Sequence, residues 1–547
     1  MPKQSGRRDF LRKSMAALGG LAVSGGGLAA CANKAQAQQM QGQLLGPSFK
    51  AGHLLRKGIT VEPTEVEEQE VVIVGGGASG LAAARWLKKH SAKKILLLEL
   101  ESETGGNAAA GKNGHTAYPW GAHYLPLPNN SFTELLEFLQ ETNVITGFDG
   151  EGLPNYNEYY LCFDPEERLY IHNYWQEGLV PHWGVPEADQ QQIARFQQLM
   201  EELKQAQGKD GKFAFDIPLG HSSADVQYRD LDKLTMLEWL QQQELTSEYL
   251  HWYVDYCCRD DFGSSIAHTS AWAGIHYFAA RKARAANSES HRVLTWPEGN
   301  NWLVQRLRES CADSIRTNAM VYRVGEQEGK VVIDYMDLRT QQYKRLLAKQ
   351  CVMATPQFVN QRLLSALPAL LDSRNLRKFN YAPWLVANLT LKDVPRSKGF
   401  GLSWDNVIYG SKSLGYVYAN HQQVALFPEK KTITFYHALA DEAPAAARGK
   451  AYGSSYDTWK EFVLQELEKA HPSLREQVEQ LDVWVWGHGM IRPTPGFIWG
   501  QDREMANMPY ADKVYFAHTD LSGISVFEEA FYQGVTAARQ LLSSKLA

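Results

Sequence analysis

Gly75, Gly77 and Gly80 stand in the order G-x-G-x-x-G, and an acid, Glu99, follows 19 residues after the last of them. That set suits a nucleotide with a diphosphate. Gly75 allows a tight turn, Gly77 lets the backbone approach a phosphate, and Gly80 lets a helix pack closely on a strand. Ala78 and Ser79 complete this cofactor-binding turn, and the helix that follows presents an N-terminus that favours negative charge. Glu99 is placed to accept hydrogen bonds from ribose hydroxyls. Elsewhere, His123 and Tyr124 follow the small pair Gly121 and Ala122, and Trp486 and His488 stand late in the chain. Free imidazoles titrate near neutral pH, which makes His123 and His488 acid–base candidates. The six cysteines show no metal spacing, and Cys257 and Cys258 are adjacent, so buried free thiols are expected.

These residues need elements to position them. Val71-Val72-Ile73-Val74 is a β-branched run of the kind found in a fully buried parallel strand. A helix is expected from Leu81 to His90 and a second strand from Lys94 to Leu98. With strand before, helix after and the acid beyond, the glycines read as a Rossmann-like dinucleotide site. Further α/β pieces come later. They are Trp296–Leu303, a helix to Cys311, a strand from Ile315 to Val321, and Cys351–Pro356. A strand at Lys513–Ala517 and a helix from Val526 to about Leu542 close the chain.

In order and wording these blocks resemble the flavin-containing amine oxidase superfamily. The resemblance implies noncovalent FAD in a GR2-type, Rossmann-like domain interleaved with a mixed, partly helical substrate domain, an α/β fold overall. Gly105-Gly106-Asn107 matches the family's Gly-Gly-Arg along the FAD pyrophosphate, with Asn107 in place of the arginine. Gly121-Ala122-His123-Tyr124 matches a turn held against the flavin ring. Val321 matches the valine whose backbone contacts adenine. His518-Thr519-Asp520 matches a Gly-Thr-Glu in which the acid holds the ribityl chain, and Phe527 begins the helix that points at the flavin. Trp486 and His488 fall where relatives wall the flavin. Trp384–Thr390 lacks the lysine that many amine oxidases place there, and Lys392 lies just beyond. Oxidation of a simple amine by oxygen is thereby put in doubt, and the electron acceptor stays open.

The intervening stretches are assigned to substrate. Thr235-Met236-Leu237-Glu238 and Thr458-Trp459-Lys460-Glu461 both read as capping boxes that start helices. Arg259-Asp260-Asp261 is either a substrate-anchoring cluster or a structural ion-pair network, and His276 reads as core.

The chain of 547 residues carries a net charge of -5, but residues 1–37 hold six basic side chains and one acid. The remainder has 50 basic against 60 acidic groups. An acidic body offers no footprint for nucleic acid. Arg7-Arg8-Asp9-Phe10-Leu11 followed by an apolar run resembles a twin-arginine signal, which implies the twin-arginine translocase as a partner and a periplasmic destination. Leu28-Ala29-Ala30-Cys31 resembles a lipoprotein box that would place a lipid anchor on Cys31, while Ala35-Gln36-Ala37 reads as an ordinary cleavage site. The expected organisation is a signal at 1–37 and a linker at 38–69. An FAD domain then takes 70–125, 290–360 and 481–547, and a substrate domain 126–289 and 361–480. The function expected is oxidation of a C–N or C–C bond in a small organic substrate. The rivals are a desaturase or isomerase of a hydrophobic substrate, and a noncatalytic flavin-binding partner subunit.

Overall fold

Val71, Val72 and Ile73 are fully buried, as the β-branched run requires of a strand covered on both faces. They lie in the strand Glu65–Val74, at the middle of the first sheet in the computed structural model, which describes residues 40–423 and 428–544. Ile315–Arg316 and Ile95–Leu98 lie on one side of it and Gln342–Met353 on the other. All three pairings are parallel. Gln342–Met353, the return strand, changes neighbours along its length. Lys330–Asp337 pairs antiparallel with its first part, and Val514–Phe516 pairs in parallel with Cys351–Met353. The helix Ala78–His90 packs against the terminal helix Phe527–Leu542. This is the doubly wound arrangement in which ligands bind beyond the carboxyl ends of the strands.

The second sheet has eight strands. In order they are Leu44–Leu45, Val478–Ile491, Tyr381–Leu391, Lys431–Ala438, Tyr416–Tyr418, Asp405–Ile408, Glu167–Ile171 and Tyr174–Glu177. Its centre is the long antiparallel pair Tyr381–Leu391 and Val478–Ile491, in which Trp384 lies opposite Trp486 and Val386 opposite Trp484. One face packs on helices that include Glu187–Gln205, Glu248–Phe262 and Ala271–Ala279. The last of these is apolar around its circumference and largely buried, as such a helix must be.

Several expectations change. The segment expected as a linker is anchored from Met40 onward, because Leu44–Leu45 pairs in parallel with Val483 and Trp484, and the glycine-motif strand begins at Glu65. The domain boundary at 481 falls inside Val478–Ile491, a strand of the second sheet. The glycine-rich helix starts at Ala78 rather than Leu81. The strand expected from Ile315 to Val321 is two strands, broken at Thr317 and Asn318, where Asn318 has a positive φ of 56°. Thr235 forms the full capping box with Glu238. At the other proposed box the cap is Ser455, three residues earlier, whose hydroxyl accepts from the Thr458 N–H. The five described cysteines are free and buried, and His276 is a core residue bonded to the Asp216 carbonyl at 3.0 Å. The twin-arginine motif, Cys31 and both cleavage sites lie outside the described residues. Among the described residues no helix is long and apolar enough to cross a membrane.

Candidate active site

A cavity of about 900 Å³ runs along the carboxyl end of the first sheet, at the upper end of the ~300–1,000 Å³ usual for ligand sites. Gly75, Gly77, Ala78, Ser79, Glu99, Gly106, Asn107, Ala122, Val321 and Phe527 line it, all of them nominated by the sequence. Gly75 sits at φ +109°, and a Cβ on Gly80 would fall 2.0 Å from the Gly75 carbonyl oxygen, so the turn admits no larger residue there. Gly80 therefore shapes the turn without lining the cavity. Gly77 differs, because a Cβ there meets nothing within 4 Å and would project into open space. The helix that follows Gly77 has no side-chain cap, which leaves its first N–H groups for an anion.

Glu99 is buried. One carboxyl oxygen accepts from the Gly76 N–H at 2.6 Å and the other from the Glu101 N–H at 2.8 Å. Burial nonetheless pushes its pKa up to about 7. Asn107 turns its amide to the Gly489 carbonyl, tying the two sheets together where the family has a cation. Asp520 departs from expectation. It is buried, and one oxygen accepts from the Gln357 N–H at 2.7 Å and from the Tyr381 hydroxyl. The other faces His518 Nδ1 at 3.0 Å. The carboxylate does not line the cavity; His518 and Thr519 do. The aspartate arm, one methylene shorter than glutamate, is spent on the neighbouring backbone.

A second chamber of about 130 Å³ shares Asn107, Ala122, Asn300, Trp486, Val526 and Phe527 with the first. Gly121, His123, Tyr124, Trp384 and Tyr436 also line it. The turn carrying His123 and Tyr124 is held from behind. Asn300 accepts nothing through its own Oδ1 but donates through Nδ2 to the Tyr124 carbonyl at 2.8 Å, and Thr295 donates to the His123 carbonyl at 3.1 Å. His123 stacks on Tyr436 with ring centroids 4.6 Å apart, and the Tyr436 hydroxyl donates to the Gly121 carbonyl at 3.0 Å. Trp486 is fixed by its indole N–H, which donates to the Trp120 carbonyl at 2.6 Å.

His488 lines the large cavity alone, stacked on Phe358 at 4.0 Å. Neither histidine titrates near neutral pH. Burial pushes His123 down to about 4, and burial with the charges of Arg448 and Arg56 does the same to His488. Both rings are therefore neutral at pH 7, which corrects the near-neutral titration expected of them.

The charged groups of the chamber come from elsewhere. The Tyr124 hydroxyl donates to Asp260 at 3.2 Å, and Asp261 lies 3.5 Å from Arg281, whose Nε is 4.0 Å from Glu528. Arg259, by contrast, pairs with Asp255 and Asp441. The sequence cluster thus divides, with Arg259 structural and Asp260 and Asp261 facing the chamber. Burial, then the adjacent Asp261, raises the Asp260 pKa; burial raises that of Asp261, with Arg281 opposing. Arg281, Glu528, Asn300, Trp384 and Tyr436 were not singled out from the sequence for this site.

This geometry has counterparts. Residues 73–142 match the family model for an NAD(P)-binding Rossmann-like domain. No curated protein matches the chain. Among solved structures, wild-type putrescine oxidase bound to putrescine is similar over 88% of this chain and 100% of its own, with a TM-score of 0.62 at 16% identity. Cyclohexylamine oxidase from Brevibacterium oxydans IH-35A is similar over 87% of this chain and 99% of its own, with a TM-score of 0.61 at 14% identity. A CLA-producing fatty acid isomerase from P. acnes follows over 86% and 97%, at 0.56 and 15%. At such identities the likeness establishes the fold. The chain has the two-domain, Rossmann-like fold seen in flavin-dependent amine oxidases.

Proposed function

We propose that the protein is an FAD-dependent, amine-oxidase-like oxidoreductase that takes a hydride from the carbon beside the nitrogen of a small amine, converting its C–N single bond to C=N. The observation that carries this reading is the small chamber set against the dinucleotide cavity, with Asp260 and Asp261 in its wall. The large cavity suits FAD by the chemistry of its lining. It offers an uncapped helix N-terminus, an open space at Gly77 and a buried acid, Glu99, for ribose hydroxyls. No described cysteine lines either cavity, which supports noncovalent binding. When bound, FAD supplies the two-electron sink for the oxidation.

The chain's own residues do the rest. Asp260, oriented by the Tyr124 hydroxyl, attracts an ammonium group, ionises more readily once a cation is beside it, and takes the ammonium proton so that the neutral amine can give up its hydride. Trp384, Trp486 and Tyr436 enclose the apolar part of the substrate and exclude water, while His123 packs the chamber as a neutral ring. The volume of about 130 Å³ favours a small substrate over the bulky hydrophobic one of a desaturase or isomerase. The twin-arginine motif supports export of the folded holoprotein to the periplasm, where a lipid on Cys31 would tether it.

Anaerobic addition of small amines to the purified yellow protein tests the reading. Bleaching of the ~450 nm flavin band is expected, and Asp260→Asn should raise the amine concentration for half-bleaching about tenfold or more without altering the resting spectrum. Bleaching by unsaturated acids but by no amine would favour the C–C alternative. A protein with FAD that no substrate bleaches would point to a noncatalytic partner subunit.

A further inference from the structure

The segment before Glu65–Val74 lines the large cavity. Leu44–Leu45 is paired to the second sheet beside Trp484. Ser48 then gives both its N–H, at 2.8 Å, and its hydroxyl, at 2.7 Å, to the Glu101 carboxylate on the first domain. Phe49 packs on Tyr452 with centroids 4.7 Å apart, and Leu55 joins the core that contains Val321. Residues 44–56 are thus a strap pinned to both sheets, and Phe49, His53 and Arg56 form part of the cavity wall.

The helix Pro444–Gly453, whose Tyr452 packs on Phe49, brings Arg448 to the same cavity. Its Nη1 donates to the Tyr381 carbonyl at 3.1 Å. Among the described residues neither Arg56 nor Arg448 is paired with a carboxylate. Arg362 lines this wall too, and His53 and His488 stand close by. The acids of the cavity, Glu99 and Glu101, are bonded to backbone N–H groups and to Ser48. Burial holds the Arg448 guanidinium below its ordinary value, and the Arg56 charge adds to this. Cations gathered without counterions are unfavourable until an anion joins them. Meanwhile Asn107 supplies no cation where the resembling family has one, and its amide is already bonded to Gly489.

We infer that the strap is a cofactor clamp, in which Arg56 and Arg448 close on the diphosphate of the dinucleotide and supply the positive charge missing at Asn107. This rests on the FAD reading above. The chemistry is a charge-assisted contact from guanidinium to phosphate oxygen, strongest where water is excluded. A diphosphate is favoured over a separate anion because the same cavity carries the uncapped helix N-terminus and the glycines that suit one.

The test uses the full-length chain, stripped of flavin and titrated with FAD, ADP and riboflavin, reading flavin fluorescence or heat. Arg56→Gln and Arg448→Gln should each weaken FAD and ADP about tenfold or more, leave riboflavin unchanged, and recover partly as Arg→Lys. Ser48→Ala should speed FAD loss on dialysis. Arg56 is exposed, so its variant is expected to fold even if the Arg448 variant does not. FAD and ADP affinities within twofold of wild type in the Arg56 and Ser48 variants would overturn the clamp. So would unchanged affinity with slower reoxidation by an anionic dye, which would make the cations an acceptor site. Wild-type protein that binds neither FAD nor ADP would overturn the functional reading and the clamp together.

Discussion

Glu99 shows how a single side chain can be poised for a ligand at a cost to the empty protein. Its folded pKa is raised from 4.5 to about 7 by burial. A raised carboxyl contributes stability that is fully present below its unfolded value and is lost as pH rises through the folded one. The apoprotein should therefore lose stability from this group between pH 4.5 and about 7. Relative to wild type, Glu99→Gln should gain on the order of 1–2 kcal/mol of stability between pH 4 and pH 8, starting from a deficit near pH 4 because its amide cannot accept from both the Gly76 and Glu101 N–H groups. Denaturant melts at both pH values would measure this, and a constant difference would refute it. This chemistry was partly legible in the residues. Glu99 could be placed because it follows a strand at a fixed distance from the glycines. Asp260 and Glu528 could not be brought together, since they lie on helices far apart in sequence and meet only in the folded wall of the chamber. The near-neutral titration expected of His123 and His488 failed for a related reason. A free imidazole value says nothing of the aromatic neighbours that desolvate it.

Among the elements, the turn from Glu65–Val74 into Ala78–His90 separates two kinds of glycine requirement. At Gly80 an added Cβ would lie 2.0 Å from a carbonyl oxygen, whereas at Gly77 it would meet no atom within 4 Å. Gly80→Ala should thus destabilise the fold by roughly 2 kcal/mol or more, visible in a thermal melt of the apoprotein. Gly77→Ala should leave that melt in place and instead weaken FAD by filling the space a phosphate approaches. Equal effects of both variants on the apoprotein would contradict the distinction. Periodicity and glycine spacing found the strands and helices of the first sheet because those signals are local. The cap at Ser455 was a local signal, three residues before Thr458, and was passed over for the Thr458 pattern. The break at Thr317–Asn318 and the pairing of Leu44–Leu45 were hidden, because they depend on backbone geometry or on a partner distant in sequence.

Over the whole molecule, the large cavity draws on both sheets and on the strap, so its ligand should stabilise the fold as a unit. FAD at a hundred times its Kd would add about 2.7 kcal/mol by mass action. The melting midpoint should rise by several degrees and continue to climb with the logarithm of FAD concentration. A midpoint indifferent to FAD would argue against the site. The broad architecture, a Rossmann-like domain interleaved with a second, was legible because its blocks recur in order. The boundary at 481 was misplaced because the strand Val478–Ile491 begins in the second sheet before the chain returns to the first.

The return strand Gln342–Met353 carries a consequence for biosynthesis. Its last residues need Val514–Phe516 as a neighbour, and the terminal helix covers the glycine-rich one. A ribosome must therefore release nearly the entire polypeptide before the nucleotide site has its full walls. Contacts so distant along the chain form slowly. Capture of a dinucleotide there would then be a post-translational event, and any leader at the amino end would emerge long before there was a finished holoprotein for it to accompany.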